Sequence, residues 1–161
     1  MLDGPAVAAA LREIGATHVV WIPDSELGGW EAALASDPEL TLVRVAREAE
    51  AFGIAAGLVL GGKRPVIMIQ CTGLFDAGDA LRNVIHDLRL PILLLVGARG
   101  QLAAARGQSG DTCPQFTEAI VQAWSVPYRI LTPGPGAAAE LRSEFHAALD
   151  AGRSCVLIWP E

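Results

Sequence analysis

The stretch of this chain most able to do chemistry is Arg47-Glu48-Ala49-Glu50-Ala51-Phe52-Gly53-Ile54-Ala55-Ala56-Gly57, which sets carboxylates at the start of an otherwise small and apolar helix. A carboxylate so placed can hold or move a proton at a bound molecule; beside an arginine, its plainer role is a surface ion pair. Asp24 and Ser25 follow an apolar run ending at Pro23, where doubly wound sheets bind ligands at the carboxyl ends of their strands. Either residue would also serve as an N-cap for the next helix. Gln70, Thr72 and Gly73 close another such run, and Gln70 alone could simply satisfy a strand end. Gly57, Gly62 and Lys63 fit part of a P-loop, but the segment ends a helix and precedes a strand, and Arg64 stands where the magnesium-binding hydroxyl belongs. Cys71, Cys113 and Cys155, like His18, His86 and His146, are scattered in a way that matches neither a disulfide framework nor zinc-ligand spacing. Cys71 has no His or acid in fixed relation to it and reads as a small packed hydrophobe rather than a nucleophile.

The elements that must position these residues alternate along the chain. Of the 161 residues 52% are hydrophobic and 19% charged, which fits one domain, 1–161, with a substantial core. A net charge of -6 with no basic run excludes nucleic acid and anionic membrane as expected partners. No apolar stretch approaches the ~20 residues of a membrane span, and the cysteine usage suggests a reducing, cytoplasmic setting. Apolar runs predict strands at 19–22, 41–45, 65–69, 91–96, 128–131 and 155–159, and helical periodicity predicts helices from Asp3 to Gly15, from Ser25 to Asp37, and over 48–60, 76–88, 114–124 and 137–151. Continuous rather than alternating apolar runs predict strands buried on both faces, so the expected class is α/β, a three-layer α/β/α with a six-stranded parallel sheet. Residues 99–111, with three glycines, read as a long loop over the site.

Set in this order, the motifs resemble the pyrimidine-binding (PYR) domain of thiamine-diphosphate-dependent decarboxylases. Glu48 followed by Gly53-Ile54-Ala55-Ala56-Gly57 is similar to the family's glutamate motif, and Glu50 does not match it. Ile22-Pro23-Asp24-Ser25-Glu26-Leu27 resembles the first strand-to-helix turn of phosphonopyruvate and sulfopyruvate decarboxylases. Gln70-Cys71-Thr72-Gly73-Leu74 is similar to their Gln-Asn-Ser-Gly-Leu segment. Leu94-Val96-Gly97 with Arg99-Gly100, and then Gly110, Thr112 and Pro114, resemble the two ends of their substrate loop. The chain departs from the pattern at Cys71, Phe75 and Asp76, where those enzymes have Asn, Gly and Asn, and Asp76 and Asp79 bring carboxylates in place of neutral amides.

The resemblance implies the thiamine-diphosphate-binding fold of PYR type and a non-oxidative 2-oxo acid decarboxylase. Glu48 is then the catalytic residue, bonded to N1′ of the aminopyrimidine and favouring its imino tautomer. Gln70, Thr72 and Gly73 join Glu48 in binding the cofactor, and Asp24, Ser25, Arg99, Gln108 and Thr112 meet the substrate. The family's magnesium motif, Gly-Asp-Gly with a downstream Asn, is absent, Asn83 being the only asparagine. Mg2+ is therefore expected on a separate diphosphate-binding (PP) β subunit in an α2β2 or larger assembly, with no metal ligand on this chain. A non-catalytic binding or regulatory module on the same fold is the alternative that the substitutions around Cys71 allow, and an intact Glu48 argues against it.

Overall fold

The computed structural model describes residues 2–25 and 27–161; Met1 and Glu26, the latter within the first turn motif, lie outside them. Six parallel strands form one sheet: β1 (His18–Trp21), β2 (Thr41–Arg44), β3 (Pro65–Gln70), β4 (Leu93–Ala98), β5 (Tyr128–Ile130) and β6 (Cys155–Pro160), in the order β2-β1-β3-β4-β6-β5. Among the described residues eight α-helices accompany them: α1 (Gly4–Glu13), α2 (Glu31–Ser36), α3 (Glu48–Leu60), α4 (Cys71–Asp76), α5 (Gly78–Arg82), α6 (Gln101–Ala105), α7 (Cys113–Ala123) and α8 (Ala137–Asp150).

Strand pleating divides the apolar side chains between two cores. Val66, Met68, Leu93, Leu95 and Leu157 face α1, α2 and α8, whereas Ile67, Ile69, Leu94, Val96 and Ile158 face α3, α4, α5 and α7. This is why the strands read as unbroken apolar runs. The crossovers through α2 and α8 run one way across the sheet and those through α3, α4–α5 and α7 the other, and each direction keeps to its own face. A single crossover hand requires that arrangement. It also brings the loops after β1, β3 and β4 to the carboxyl edge side by side.

Against their expected spans β3 and β6 reach one residue further at the carboxyl edge and β4 two, whereas β1, β2 and β5 stop one residue short. Gln70 pairs with Gly97, and Gly97 with Trp159, so pairing on adjacent strands extends regular structure past the last branched residue. Pro160 ends β6 where β5, paired only as far as Ile158, leaves no neighbour to receive an N–H.

Three helical expectations are corrected. After Ser25 the chain makes a 3-10 turn, Gly28–Trp30, before α2, because two adjacent glycines disfavour a full α-turn. The helix expected from Asp76 starts at Cys71, directly on β3, breaks at Ala77 and closes in a π-helical turn, Asn83–Asp87, with Leu88 N–H donating to Asn83 O at 2.9 Å. Residues 99–111 are not all loop: the alanine-rich α6 interrupts them, tied by Leu102 N–H donating to Glu161 O at 2.9 Å. Among the described residues no helix is long and apolar enough to cross a membrane.

Phe52 on α3 and Phe145 on α8 fill the two cores, each at 0% exposure. Phe52→Ala and Phe145→Ala are each expected to lower unfolding free energy by about 3–5 kcal/mol, read by denaturant titration. A loss below about 1 kcal/mol at either, the scale of a surface change, would contradict this division of the core.

Candidate active site

The first turn of α3 gives its two carboxylates different tasks. Arg47 is extended (φ -140°, ψ 144°), and the helix begins at Glu48. Glu50 Oε2 turns back to accept from the backbone N–H groups of Ala46 (3.0 Å) and Arg47 (3.2 Å), satisfying donors that a helix start leaves open. Arg47 reaches instead to Asp76, 3.6 Å away. Glu48, half-buried, has no hydrogen-bond or ion-pair partner among the described residues.

The Glu48 carboxyl lies across α4, against Gly73. A Cβ built on Gly73 would stand 2.5 Å from Glu48 Oε1 and 2.6 Å from its Cδ, closer than real atoms approach. The absent side chain is thus the seat of the carboxyl group. Three residues earlier, Gln70 ends β3 with its Oε1 buried and without a hydrogen-bond partner among the described residues. A buried acceptor left so costs ~1–3 kcal/mol, a cost that a bound donor removes. Thr72 is half-buried in the same turn. An unpaired carboxyl, a cradle that a Cβ would fill and an orphaned amide oxygen therefore share one helical start at the carboxyl edge, and they suit a ligand that carries hydrogen-bonding nitrogens.

The other expected residues are distributed around this point. Asp24 Oδ1 accepts from Leu27 N–H at 2.7 Å, which makes the carboxylate a cap for the turn after β1; Ser25 beside it is exposed. Arg99 leaves the end of β4 and donates through Nε to Asp111 Oδ2 at 2.7 Å. Asp111 Oδ1 in turn accepts from Cys113 N–H at 2.9 Å, and Ser109 Oγ accepts from Asp111 N–H at 3.0 Å. The Cys113 N–H and then the Arg99 guanidinium hold the Asp111 carboxyl down at about 2. Gly100, at φ +70°, turns the chain inside this clasp. Gln108 and Thr112 are exposed, and neither side chain is drawn to Arg99 or Glu48 by a hydrogen bond.

Asp76 and Asp79, the carboxylates that replace amides, are each met by an arginine, Arg47 and Arg82. Their charge is offset locally rather than by Arg99. Cys113 is buried, and burial above all, with Asp111 and Cys71 beside it, pushes its thiol up to about 11, so it stays a protonated packing group. The sequence reading missed Asp111, Ser109 and Gln101, whose Oε1 is also buried and unpartnered. The only signal for Asp111 was its place beside Thr112 at the far end of the expected loop. Among the described residues no three His, Cys, Asp or Glu side chains converge as a metal-binding group.

Residues 4–119 match the family described as thiamine pyrophosphate enzyme, N-terminal TPP binding domain. The subunit alpha of sulfopyruvate decarboxylase from Methanococcus maripaludis is 27% identical over 123 residues, 76% of this chain and 73% of that protein. The same subunit from Methanothermobacter thermautotrophicus is 29% identical over 127 residues, 77% of this chain and 74% of that protein. Phosphonopyruvate decarboxylase of Streptomyces viridochromogenes is 31% identical over 101 residues, 63% of this chain and 25% of that protein.

Two outcomes follow from the geometry. Gly73→Ala must displace the Glu48 carboxyl, at about 1–3 kcal/mol of stability; a variant structure with Glu48 unmoved would contradict the cradle. The Asp111 clasp, whose folded pKa lies below the unfolded value, is fully present above about pH 4 and lost as pH falls through about 2. A side-chain NMR titration of Asp111 with a midpoint near 4 would show that the clasp does not form.

Proposed function

Because the chain belongs to the thiamine pyrophosphate enzyme family, with the N-terminal TPP-binding domain spanning residues 4–119, we propose that it is the PYR subunit of a heteromeric thiamine-diphosphate-dependent 2-oxo acid decarboxylase. The observation that carries this reading is the unpaired Glu48 carboxyl seated against Gly73. The names of its relatives, decarboxylases of sulfopyruvate and phosphonopyruvate and, for two of them, alpha subunits, support both the reaction class and the need for a second subunit.

In this reading Glu48 holds a proton between its carboxyl oxygen and N1′ of the cofactor's aminopyrimidine. Glu50, fixed on the backbone of Ala46 and Arg47, keeps the helix start rigid while Glu48 does so. Gln70 offers its buried Oε1 to a donor of the same ring, and Gly73 and Thr72 let the ring approach the turn. When bound, thiamine diphosphate supplies the electron sink into which a 2-oxo acid loses carbon dioxide. Arg99, pre-set by Asp111, meets an anionic group of the substrate, with Ser25 and Asp24 facing it from the β1 turn and Gln108 and Thr112 from the loop. An arginine already immobilised loses less entropy on binding an oxyanion than a free one.

Mg2+ and the diphosphate belong in this proposal to a PP-domain β subunit carrying the Gly-Asp-Gly and Asn ligands, in an α2β2 or larger assembly. The outer surface of α3 supports that partner. Ile54 and Leu60 are 37% and 73% exposed beside exposed Gly53 and Gly57, and Phe116 on α7 is 51% exposed. A helix apolar on its outer side is one that another surface covers.

Thiamine-diphosphate-dependent release of CO2 from sulfopyruvate and phosphonopyruvate by the chain with its β subunit checks the reading. Glu48→Gln is expected to lower turnover by about 10²–10⁴, the scale of a lost acid–base group, with an unchanged circular dichroism spectrum and melting temperature. Wild-type turnover in that variant would remove Glu48 from the chemistry.

A further inference from the structure

At the amino edge of the sheet, opposite Glu48 and Gln70, lies a cavity of about 340 Å3 that the proposed decarboxylation does not use. Lys63 and Arg64 line it with Gly15 and Thr17, Val59 and Leu93 are part of its apolar wall, and among the described residues no Asp or Glu lines it. Two cations thus face one cavity in a chain of net charge -6. Arg12, Arg44, Arg82 and Arg142 each pair with a carboxylate; Lys63, the chain's only lysine, and Arg64, like Arg89, Arg106 and Arg153, have none among the described residues, but Lys63 and Arg64 share one cavity.

Arg64 is held in place from three directions. Its backbone N–H donates to Thr17 Oγ1 at 3.0 Å, its carbonyl accepts from Thr17 N–H at 2.9 Å, and its guanidinium Nη1 donates to Ile14 O at 2.5 Å. Gly15 makes room for that guanidinium: it sits at φ +71°, and a Cβ there would come 2.5 Å from Arg64 Nη1. One guanidinium nitrogen is thereby anchored, and the remaining N–H donors are left for another acceptor.

The competing explanation is that both cations only complement the carboxyl end of α3, since they follow it in sequence. That end is already closed by backbone bonds: Gly61 N–H donates to Gly57 O at 2.9 Å, Lys63 N–H to Leu58 O at 2.8 Å and Gly62 N–H to Val59 O at 3.0 Å. It needs neither side chain as a donor, and the helix end that Arg64 does serve, that of α1 through Ile14 O, takes only one guanidinium nitrogen.

We propose that this cavity is a second binding site, for a compact phosphate-type oxyanion, with Lys63 and Arg64 as its charged donors. Arginine and lysine together suit such an anion, one through its fork and the other as a point charge. The apolar wall leaves room for the short carbon body of a phosphomonoester, and free phosphate would use the charged part alone.

Isothermal titration of the full chain with inorganic phosphate, and separately with glycerol 1-phosphate, tests the site. Saturable binding is expected, with the dissociation constant raised about tenfold or more by Lys63→Met or Arg64→Met, as for a lost charge-assisted bond, and largely kept in Lys63→Arg. Arg99→Met, at the opposite edge, is expected to leave that binding in place. Should Arg64→Met fail to fold through loss of its bond to Ile14, Lys63→Met, at an exposed side chain, still decides the matter. Tighter binding of glycerol 1-phosphate supports the site with a monoester as its ligand, and equal binding supports it with free phosphate. Absence of saturable binding to either anion, or binding unchanged in both methionine variants, overturns the proposal.

Discussion

A missing Cβ organises this carboxyl edge. The Glu48 carboxyl occupies the place where any other residue at position 73 would put a side chain, and it can do so only because α4 springs directly from β3 and brings Gly73 under the start of α3. That contact joins the starts of two crossovers, which leave β2 and β3 on either side of β1. Parallel pairing sets the rest: with every strand running the same way, the turns after β1, β3 and β4 open on one edge, and the residues able to do chemistry collect there.

The neighbouring charges are arranged so that Glu48 alone keeps an uncommitted carboxyl in its turn. Glu50 is fixed by two backbone donors, Arg47 is drawn off to Asp76, and Asp79 is met by Arg82. Had Arg47 paired with Glu48, the plain surface ion pair would have described the site fully. On the far side of β3 the same economy holds for Arg99, whose bond to Asp111 fixes its direction before any ligand arrives.

Much of this was legible in the sequence because it rests on periodicity and local chemistry. The strands came out nearly in place, since burial on both faces writes itself as continuous apolar runs such as Leu93 to Val96. Helix α3 came out with its bounds, marked by Glu48 at one end and Gly61-Gly62 at the other. The family resemblance, carried by Glu48 to Gly57 and Gln70 to Leu74, agrees with the family to which the chain belongs. What was not legible depends on tertiary contact. The start of α4 at Cys71 has no side-chain cap to announce it, and Gly78 is small because Trp124 lies 3.1 Å from where its Cβ would be. The Arg99–Asp111 clasp spans twelve residues and forms only because Gly100 turns the chain back on itself.

The proposed function stands on Glu48 meeting the cofactor's aminopyrimidine. A structure of the chain assembled with the proposed β subunit and thiamine diphosphate would decide it. A Glu48 that acts on the cofactor will have a carboxyl oxygen at hydrogen-bond distance, about 2.6–3.2 Å, from N1′, with the ring lying over Gly73. A ring bound elsewhere, or a Glu48 carboxyl turned away from N1′ while the cofactor is in place, would contradict it.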